Sequence, residues 1–348
     1  MRGMKYPGLG VGCLGEFLGP VLDDFQIGVH QRGGLAAPHR AKVHRLKVRQ
    51  RQPAHFRQEL HFGHVEEKPD AIVVGTGLGC IEDTEKFAAS IIQNKEATLN
   101  PTPFILSTHN AIAAQVALIQ KCTGYNYTYV HRGLSFESAL LDSCLLLSEK
   151  SAETVLLGGA DELTDISFDI TRRLGHWKKE DIKSEGMLQS KSKGSIAGEG
   201  SAFFLLTQKA GVNCKARISG LSVYAGTRRK DDIEEEATRL FDQAGIQQSE
   251  VDLVLMGYSG DRHSDTIYHE LAETFFSGNA VACFKPFCGE YQTATSFALY
   301  VASEIISNQL FPTIASVNKI QPTSIRNILI YNNYRNINHS LILLSKPQ

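Results

Sequence analysis

Short apolar runs alternate with longer helical stretches from residue 69 onward, and this alternation most restricts what the chain can fold into. Ala71-Ile72-Val73-Val74 is a continuous apolar run that ends in Gly75-Thr76-Gly77-Leu78-Gly79. Such a run reads as a strand buried on both faces, followed by a glycine turn. Helical spacing over Asp83–Asn94 and Asn110–Cys122 is followed by a strand over Tyr125–Val130, a helix over Phe136–Lys150 and a strand over Thr154–Leu157. Repeated βα units predict a mainly parallel sheet covered by helices.

The alternation starts again after a polar stretch at 176–195 (HWKKEDIKSEGMLQSKSKGS), which reads as a surface loop. Strands are expected at Ala202–Thr207 and Ala216–Val223. A helix over Asp232–Ala244, a strand over Val251–Met256 and helices over Thr266–Phe276 and Thr295–Asn308 follow. Ile328–Tyr331 and Ser340–Leu344 are expected to pair as a hairpin. The predicted organisation is a first half at 66–224 and a second half at 225–348.

Residues 1–65 have a different texture. They hold six of the twelve histidines and many arginines, with no sustained periodicity. Three readings apply: a basic arm for an anionic partner, a disordered, solvated segment, or a stretch that is not native coding sequence. The last two are preferred, because no first core strand or helix can be found there. Residues 8–22 are apolar but broken by glycines and make a poor signal peptide.

With 348 residues, 42% of them hydrophobic, the chain can bury a large core. A net charge of −1 gives no global field for nucleic acid or membrane. Seven cysteines without a CxxC pair argue against a disulfide framework or a zinc site and suggest a reducing, cytoplasmic setting. No run of eighteen apolar residues suggests a spanning helix. The glycine turn at 75–79 falls one short of GxGxxG, because Cys80 takes the last place, so its dinucleotide signal is weak. No cofactor is expected.

The most specific text lies between Asn110 and Glu162. A strand leads into His131-Arg132-Gly133-Leu134-Ser135-Phe136-Glu137, and the next strand ends in Gly158-Gly159-Ala160-Asp161-Glu162. Gly198-Glu199-Gly200 precedes an apolar run, and Phe311-Pro312-Thr313 follows the last long helix. This layout resembles the β-ketoacyl-ACP synthase (ketosynthase) family of the thiolase fold. The resemblance implies an α/β fold of five layers, αβαβα, built from two pseudo-repeats. It covers 69–348 and is strongest over 110–207.

The family places a nucleophilic cysteine at the strand-to-helix turn, and here that position is Gly133. A thiolate there would accept the acyl chain, helped by the helix N-terminus. Two family histidines support the oxyanion as a malonyl group loses CO2, and their positions fall on Gly257 and Glu290. Lys285 and Gly289 of the family's Lys-x-x-x-Gly-His text remain. The glycine-rich gate corresponds to 333–338, where only the aromatic Tyr334 and the final Asn338 match. Glycines permit backbone there that Arg335 and Asn336 would resist.

Substitute nucleophiles are Ser135, with His131 as a conceivable base, and Cys288 beside the expected cavity. The preferred reading of Ser135 is a helix cap, from its place just before the Phe136–Lys150 helix. Cys122 and Cys144 read as structural thiols, and His263 as a loop histidine. Glu137 faces the cavity, pairs with Arg132, or supports the first helical turn.

The resemblance extends to members that have lost the cysteine, the chain length factors that pair with a true ketosynthase. The His131–Glu137 turn is similar to that of proteins encoded with aryl polyene or flexirubin-type pigment synthesis. It implies a non-catalytic subunit of a heterodimer, with a ketosynthase and an acyl carrier protein as partners. Tyr125, Tyr127 and Tyr129 would lie at the dimer interface. The alternatives are an acyltransferase using Ser135, Cys288 or Glu290, and a degenerate scaffold without a carrier-protein role.

Overall fold

The structure is a computed structural model that describes residues 27–30, 68–180, 182, 184–208 and 214–347. The remainder of 1–65 lies outside the described residues, as does the reading made of it. Ile27–His30 forms a short strand, β1, that the sequence did not signal.

Two five-stranded sheets carry the chain, and they repeat one topology. The first contains β1, β2 (Ala71–Gly75), β3 (Tyr125–Tyr129), β4 (Thr154–Asp161) and β5 (Ala197–Thr207), in the order β1-β5-β4-β2-β3. The second contains β6 (Arg217–Ala225), β7 (Leu253–Met256), β8 (Ala280–Cys283), β9 (Asn327–Tyr334) and β10 (Asn338–Ser345), in the order β6-β10-β9-β7-β8. Each sheet has two parallel pairings (β3-β2-β4 and β8-β7-β9) and two antiparallel ones (β4-β5-β1 and β9-β10-β6). The duplication inferred from the resemblance is thus visible strand by strand. Because β6 pairs with β10, residues 217–224 belong to the second sheet.

The helices are α1 (Ile81–Gln93), α2 (Pro101–Leu106), α3 (Ala111–Gln120), α4 (Ser135–Ser148), α5 (Asp165–Arg173), α6 (Lys230–Ala244), α7 (Thr266–Glu273), α8 (Lys285–Cys288) and α9 (Ala294–Asn308). The period-two geometry of the strands sorts the core into layers. Ala71 and Val73 of β2 face the same core as Phe136, Ala139 and Leu140 of α4, and as Leu253 and Leu255 of β7. Ile72 and Val74 face the other way, onto Ile112, Ala113 and Val116 of α3. In the second sheet Val254 and Met256 pack on Leu240 and Phe241 of α6 and Leu271 of α7. Helices α4 and α9 therefore form the middle layer, between sheets whose outer faces carry α3 and α6–α7. Eleven of the fifteen residues of α9 are buried, as a helix enclosed on all sides requires.

Close packing explains the Gly158-Gly159 pair of β4. A Cβ on Gly158 would meet the Phe203 ring at 2.2 Å, and one on Gly159 would meet Phe136 at 2.8 Å.

Candidate functional site

Strand β3 runs through His131 into a 3-10 turn, Arg132–Leu134, and then into α4. Arg132 is left-handed, with φ +51°, a conformation that costs a non-glycine residue about 1 kcal/mol. Ser135 holds this turn. Its hydroxyl accepts from the His131 backbone N–H at 2.8 Å and donates to the Arg132 carbonyl at 2.7 Å. It is therefore the first helical residue and a brace for the turn, not the N-cap expected from its place. The His131 ring faces Ser138 Oγ at 3.4 Å, so no base serves the Ser135 hydroxyl.

At Gly133, where the resemblance places the family's cysteine, there is no room for a side chain. A Cβ on Gly133 would lie 2.5 Å from both Cβ and Cγ of Tyr334. Tyr334 is the last residue of β9, at the tip of the β9–β10 hairpin. The turn closes through Ile337 N–H donating to the Tyr334 carbonyl at 3.2 Å. Arg335 and Asn336 both adopt positive φ, +56° and +57°. The backbone expected to need glycines is thus reached without them, as a tight hairpin turn. Asn338 is buried and registers with Tyr334 across the hairpin.

Gly257 and Glu290, the two positions that the resemblance matches to the family histidines, are also closely packed. A Cβ on Gly257 would meet Asn332 Oδ1 at 2.6 Å, Tyr268 Oη at 2.8 Å and Lys285 Cε at 3.0 Å. Glu290 accepts from Lys285 Nζ at 2.8 Å, with both side chains buried. Burial pushes the Glu290 carboxyl up, and the neighbouring ammonium pulls against it. Lys285 also donates to the Asn333 carbonyl at 3.2 Å, which ties the pair to the strand bearing Tyr334. Gly133, Gly257, Lys285, Glu290 and Tyr334 are thereby brought into one contiguous region.

Cys288 is fully buried. Its Sγ faces the Gly289 carbonyl at 3.3 Å, and burial raises the thiol well above its ordinary value. That environment disfavours the thiolate needed for attack. Cys122 follows the end of α3 and donates to the Pro69 carbonyl at 3.1 Å; Cys144 lies on α4, its thiol raised by burial. His263 lies exposed on the loop after β7.

Two buried carboxylates were not recognised in their structural roles. Glu137 Oε1 accepts from Thr295 Oγ1 at 2.6 Å and Ser340 Oγ at 2.9 Å, and Asn332 Nδ2 donates to the same threonine at 2.7 Å. Of its three readings, the inward-facing one holds. Asp161 gathers five donors: Gly77 N–H (2.7 Å), Leu78 N–H (3.3 Å), Thr76 Oγ1 (3.2 Å), Thr293 N–H (2.9 Å) and Thr293 Oγ1 (2.8 Å). The amides of the glycine turn, which would have to cradle a phosphate, are thus spent on a protein carboxylate. The dinucleotide reading has no support in this geometry.

Among the described residues, strand β3 is an edge of its sheet. Tyr125 and Tyr127 are 42% and 50% exposed, and their rings stack at 6.0 Å. The Tyr125 hydroxyl donates to Asp142 on α4 at 3.1 Å, beside the exposed Leu141 and Leu145. Among the described residues no cluster of metal-ligating side chains occurs, and no helix is long and apolar enough to cross a membrane.

No protein-family model matches the sequence, and no curated protein matches it. Solved structures do share its architecture. The ishigamide ketosynthase/chain length factor aligns with a TM-score of 0.66 at 15% identity, over 84% of this chain and 77% of that one. A beta-ketoacyl synthase from Burkholderia phymatum STM815 aligns with 0.66 at 13% identity, over 82% and 78%. The ketosynthase ApeO in complex with its chain length factor ApeC, from Xenorhabdus doucetiae, aligns with 0.66 at 13% identity, over 79% and 74%. The chain thus has the thiolase-like fold in its ketosynthase form.

Proposed function

We propose that this chain is a non-catalytic ketosynthase-like subunit, a partner of chain-length-factor type for a condensing ketosynthase. The observation that carries this reading is the filling of the family's reaction centre. Tyr334 takes the space of the thiol side chain, and Asn332, Tyr268 and the Lys285–Glu290 pair take the histidine space. A carboxylate at the second histidine position is an acceptor. It offers nothing to an oxyanion that needs donors.

The partners are a cysteine-bearing ketosynthase and the acyl carrier protein that serves it. The β3 edge, with Tyr125, Tyr127 and Tyr129, is the surface offered to the ketosynthase. Its unpaired backbone groups suit strand addition and its aromatic rings suit burial. The ApeO–ApeC complex, a ketosynthase with its chain length factor, supports this kind of pairing. The His131–Glu137 turn supports an assignment to polyene synthesis of aryl polyene type, in the cytoplasm.

The test is intact mass after incubation with a long-chain acyl carrier-protein thioester, alongside a ketosynthase that retains its cysteine. The reading expects no adduct on this chain, normal labelling of the ketosynthase, and co-purification of the two. An acyl adduct would overturn it and favour an acyltransferase working through Ser135, Cys288 or Glu290. Failure to associate with any ketosynthase would favour a scaffold.

A further inference from the structure

The segment 176–195 is built differently from an ordinary surface loop. Its two ends pair: Lys178 N–H donates to the Ser195 carbonyl at 3.0 Å, and Ser195 N–H to the His176 carbonyl at 3.0 Å. Trp177 fixes this neck by stacking on Phe168 of α5. Beyond the neck, a 3-10 turn at Ser184–Gln189 lies against α8, which begins with Lys285. Immediately after the segment, Glu290 exchanges backbone bonds with Ile196 and Gly198, at 2.8 and 3.0 Å. The segment thus spans the Lys285–Glu290 pair.

What holds it there is mostly polar. Lys178 is buried, and its ammonium uses all three donors: Ser190 Oγ at 2.7 Å, Ser192 Oγ at 2.9 Å and the Gly260 carbonyl at 2.8 Å. The first two bonds close the segment on itself, and the third crosses to the loop after β7. Two more bonds cross the same gap. Gly194 N–H donates to Asp261 Oδ1 at 3.0 Å, and Arg262 N–H to the Ser192 carbonyl at 3.0 Å. Two apolar side chains add to the contact: Met187 is buried against Gly260, where an added Cβ would lie 2.5 Å from its Cγ, and the half-buried Leu188 packs on the core of the second sheet. Lys179, Glu180, Gln189, Lys191 and Lys193 remain exposed. A segment with few buried apolar groups, closed by a few hydrogen bonds, opens locally before the core unfolds.

We propose that the described residues of 176–195, all but 181 and 183, form a lid over the Lys285–Glu290 pair, locked shut by the buried ammonium of Lys178. The inference does not depend on whether the chain is a partner subunit or an acyltransferase. In either case it makes access to the inner pair a property of one lysine. Removing the ammonium leaves the Gly260 carbonyl and both serine hydroxyls without their shared donor. Hydrogen bonds to a charged group are strong enough that their loss changes a local opening equilibrium by about ten- to a hundredfold.

The experiment is amide hydrogen exchange by mass spectrometry on the full chain, for the parent and Lys178→Met. Lid peptides within 179–194 and the α8 peptide should exchange at least about tenfold faster in the variant. Peptides from β7 and β9 should keep the parent rate. Unchanged lid exchange, a persistently protected α8, or an equal acceleration of β7 and β9 would overturn the proposal. Should Lys178→Met fail to fold, Ser190→Ala/Ser192→Ala keeps the charge and removes two of its three acceptors. It should open the same peptides by a smaller factor, and no local opening there overturns the proposal too.

Discussion

A thiol introduced at Gly133, the position the resemblance matches to the family nucleophile, asks whether the space beside Tyr334 is open or occupied. In Gly133→Cys the new Cβ falls 2.5 Å from Cβ and Cγ of Tyr334 and 2.6 Å from its Cδ1. Carbon atoms pack at about 3.5–4.0 Å, so the tyrosine has to retreat by about 1 Å. Overpacking of this kind costs about 1–3 kcal/mol. Tyr334 is half-buried at a hairpin tip whereas Gly133 is buried in its turn, so the hairpin yields and the lower part of that range is expected. Tyr334→Ala forfeits ring burial but clears that space. In Gly133→Cys/Tyr334→Ala the clash is gone, and a double-mutant cycle by urea unfolding should return a favourable coupling of about 1–2 kcal/mol. A Gly133→Cys protein as stable as the parent, or a cycle additive to within about 0.3 kcal/mol, would refute this reasoning. On the proposed reading, in which Gly257 and Glu290 take the family's histidine positions, neither cysteine variant should condense acyl and malonyl carrier substrates. Condensation by Gly133→Cys alone would refute the non-catalytic reading as well.

Other consequences can be measured on the same protein. Lys285→Met leaves the Glu290 carboxylate buried and unpaired and should cost about 3–5 kcal/mol in urea unfolding, whereas Lys285→Met/Glu290→Leu should recover most of that loss; equal losses would show the pair is not coupled. Asp161→Ala strips the acceptor from two backbone amides of the glycine turn and from Thr293, and should cost about 3 kcal/mol or more; a loss under about 1 kcal/mol would contradict the hydrogen-bond network. Burial raises the Glu137 carboxyl, opposed by Thr295 and Ser340. A raised folded pKa means its contribution is full below the unfolded value of about 4.3 and is lost as pH rises through the folded value. Glu137→Gln should therefore gain stability relative to the parent as pH rises above the unfolded value of about 4.3, and parallel stability curves would exclude that titration. Tyr127→Glu, on the exposed β3 edge, should abolish co-purification with a ketosynthase while leaving circular dichroism unchanged; persistent association would place the interface elsewhere.

The frame was legible because periodicity is a local property. Ala71–Val74, Val251–Met256 and the helix near Thr295–Asn308 announce themselves within a dozen residues. Elements without a local signature were missed. Ala280–Cys283 is a four-residue strand buried in the second sheet, too short to show a period. Helix α5 carries its apolar face outward at Ile166 and Ile170, against the usual pattern. The segment 176–195 looked like a solvated loop because lysines and serines dominate it, and only the fold shows one of those lysines buried. Gly133, Gly257 and Glu290 could be placed by register within single motifs. Thr295 and Ser340 could not, since they reach Glu137 from 158 and 203 residues away.

The manner in which the centre is filled separates a specialised subunit from a decaying one. Random loss of a cysteine and a histidine to glycine would leave space, and space in a core costs about 24 cal/mol for each Å³. At Gly133 and Gly257 the space is taken by named neighbours, Tyr334 in one case and Asn332, Tyr268 and Lys285 in the other. Each substitution is matched by a second that fits it. At Glu290 the replacement converts the lysine's neighbour into an ion-pair partner, so Lys285 keeps a structural reason to be there. The same region is bound across the two halves by Asp161 and Glu137, which hold the start of α9 through Thr293 and Thr295. Two glycines closed in by neighbouring side chains and one buried lysine–carboxylate pair are what the proposed non-catalytic reading expects of a centre that no longer reacts. On that reading the chain is kept for its folded shape and for the surfaces that shape presents, the β3 edge among them.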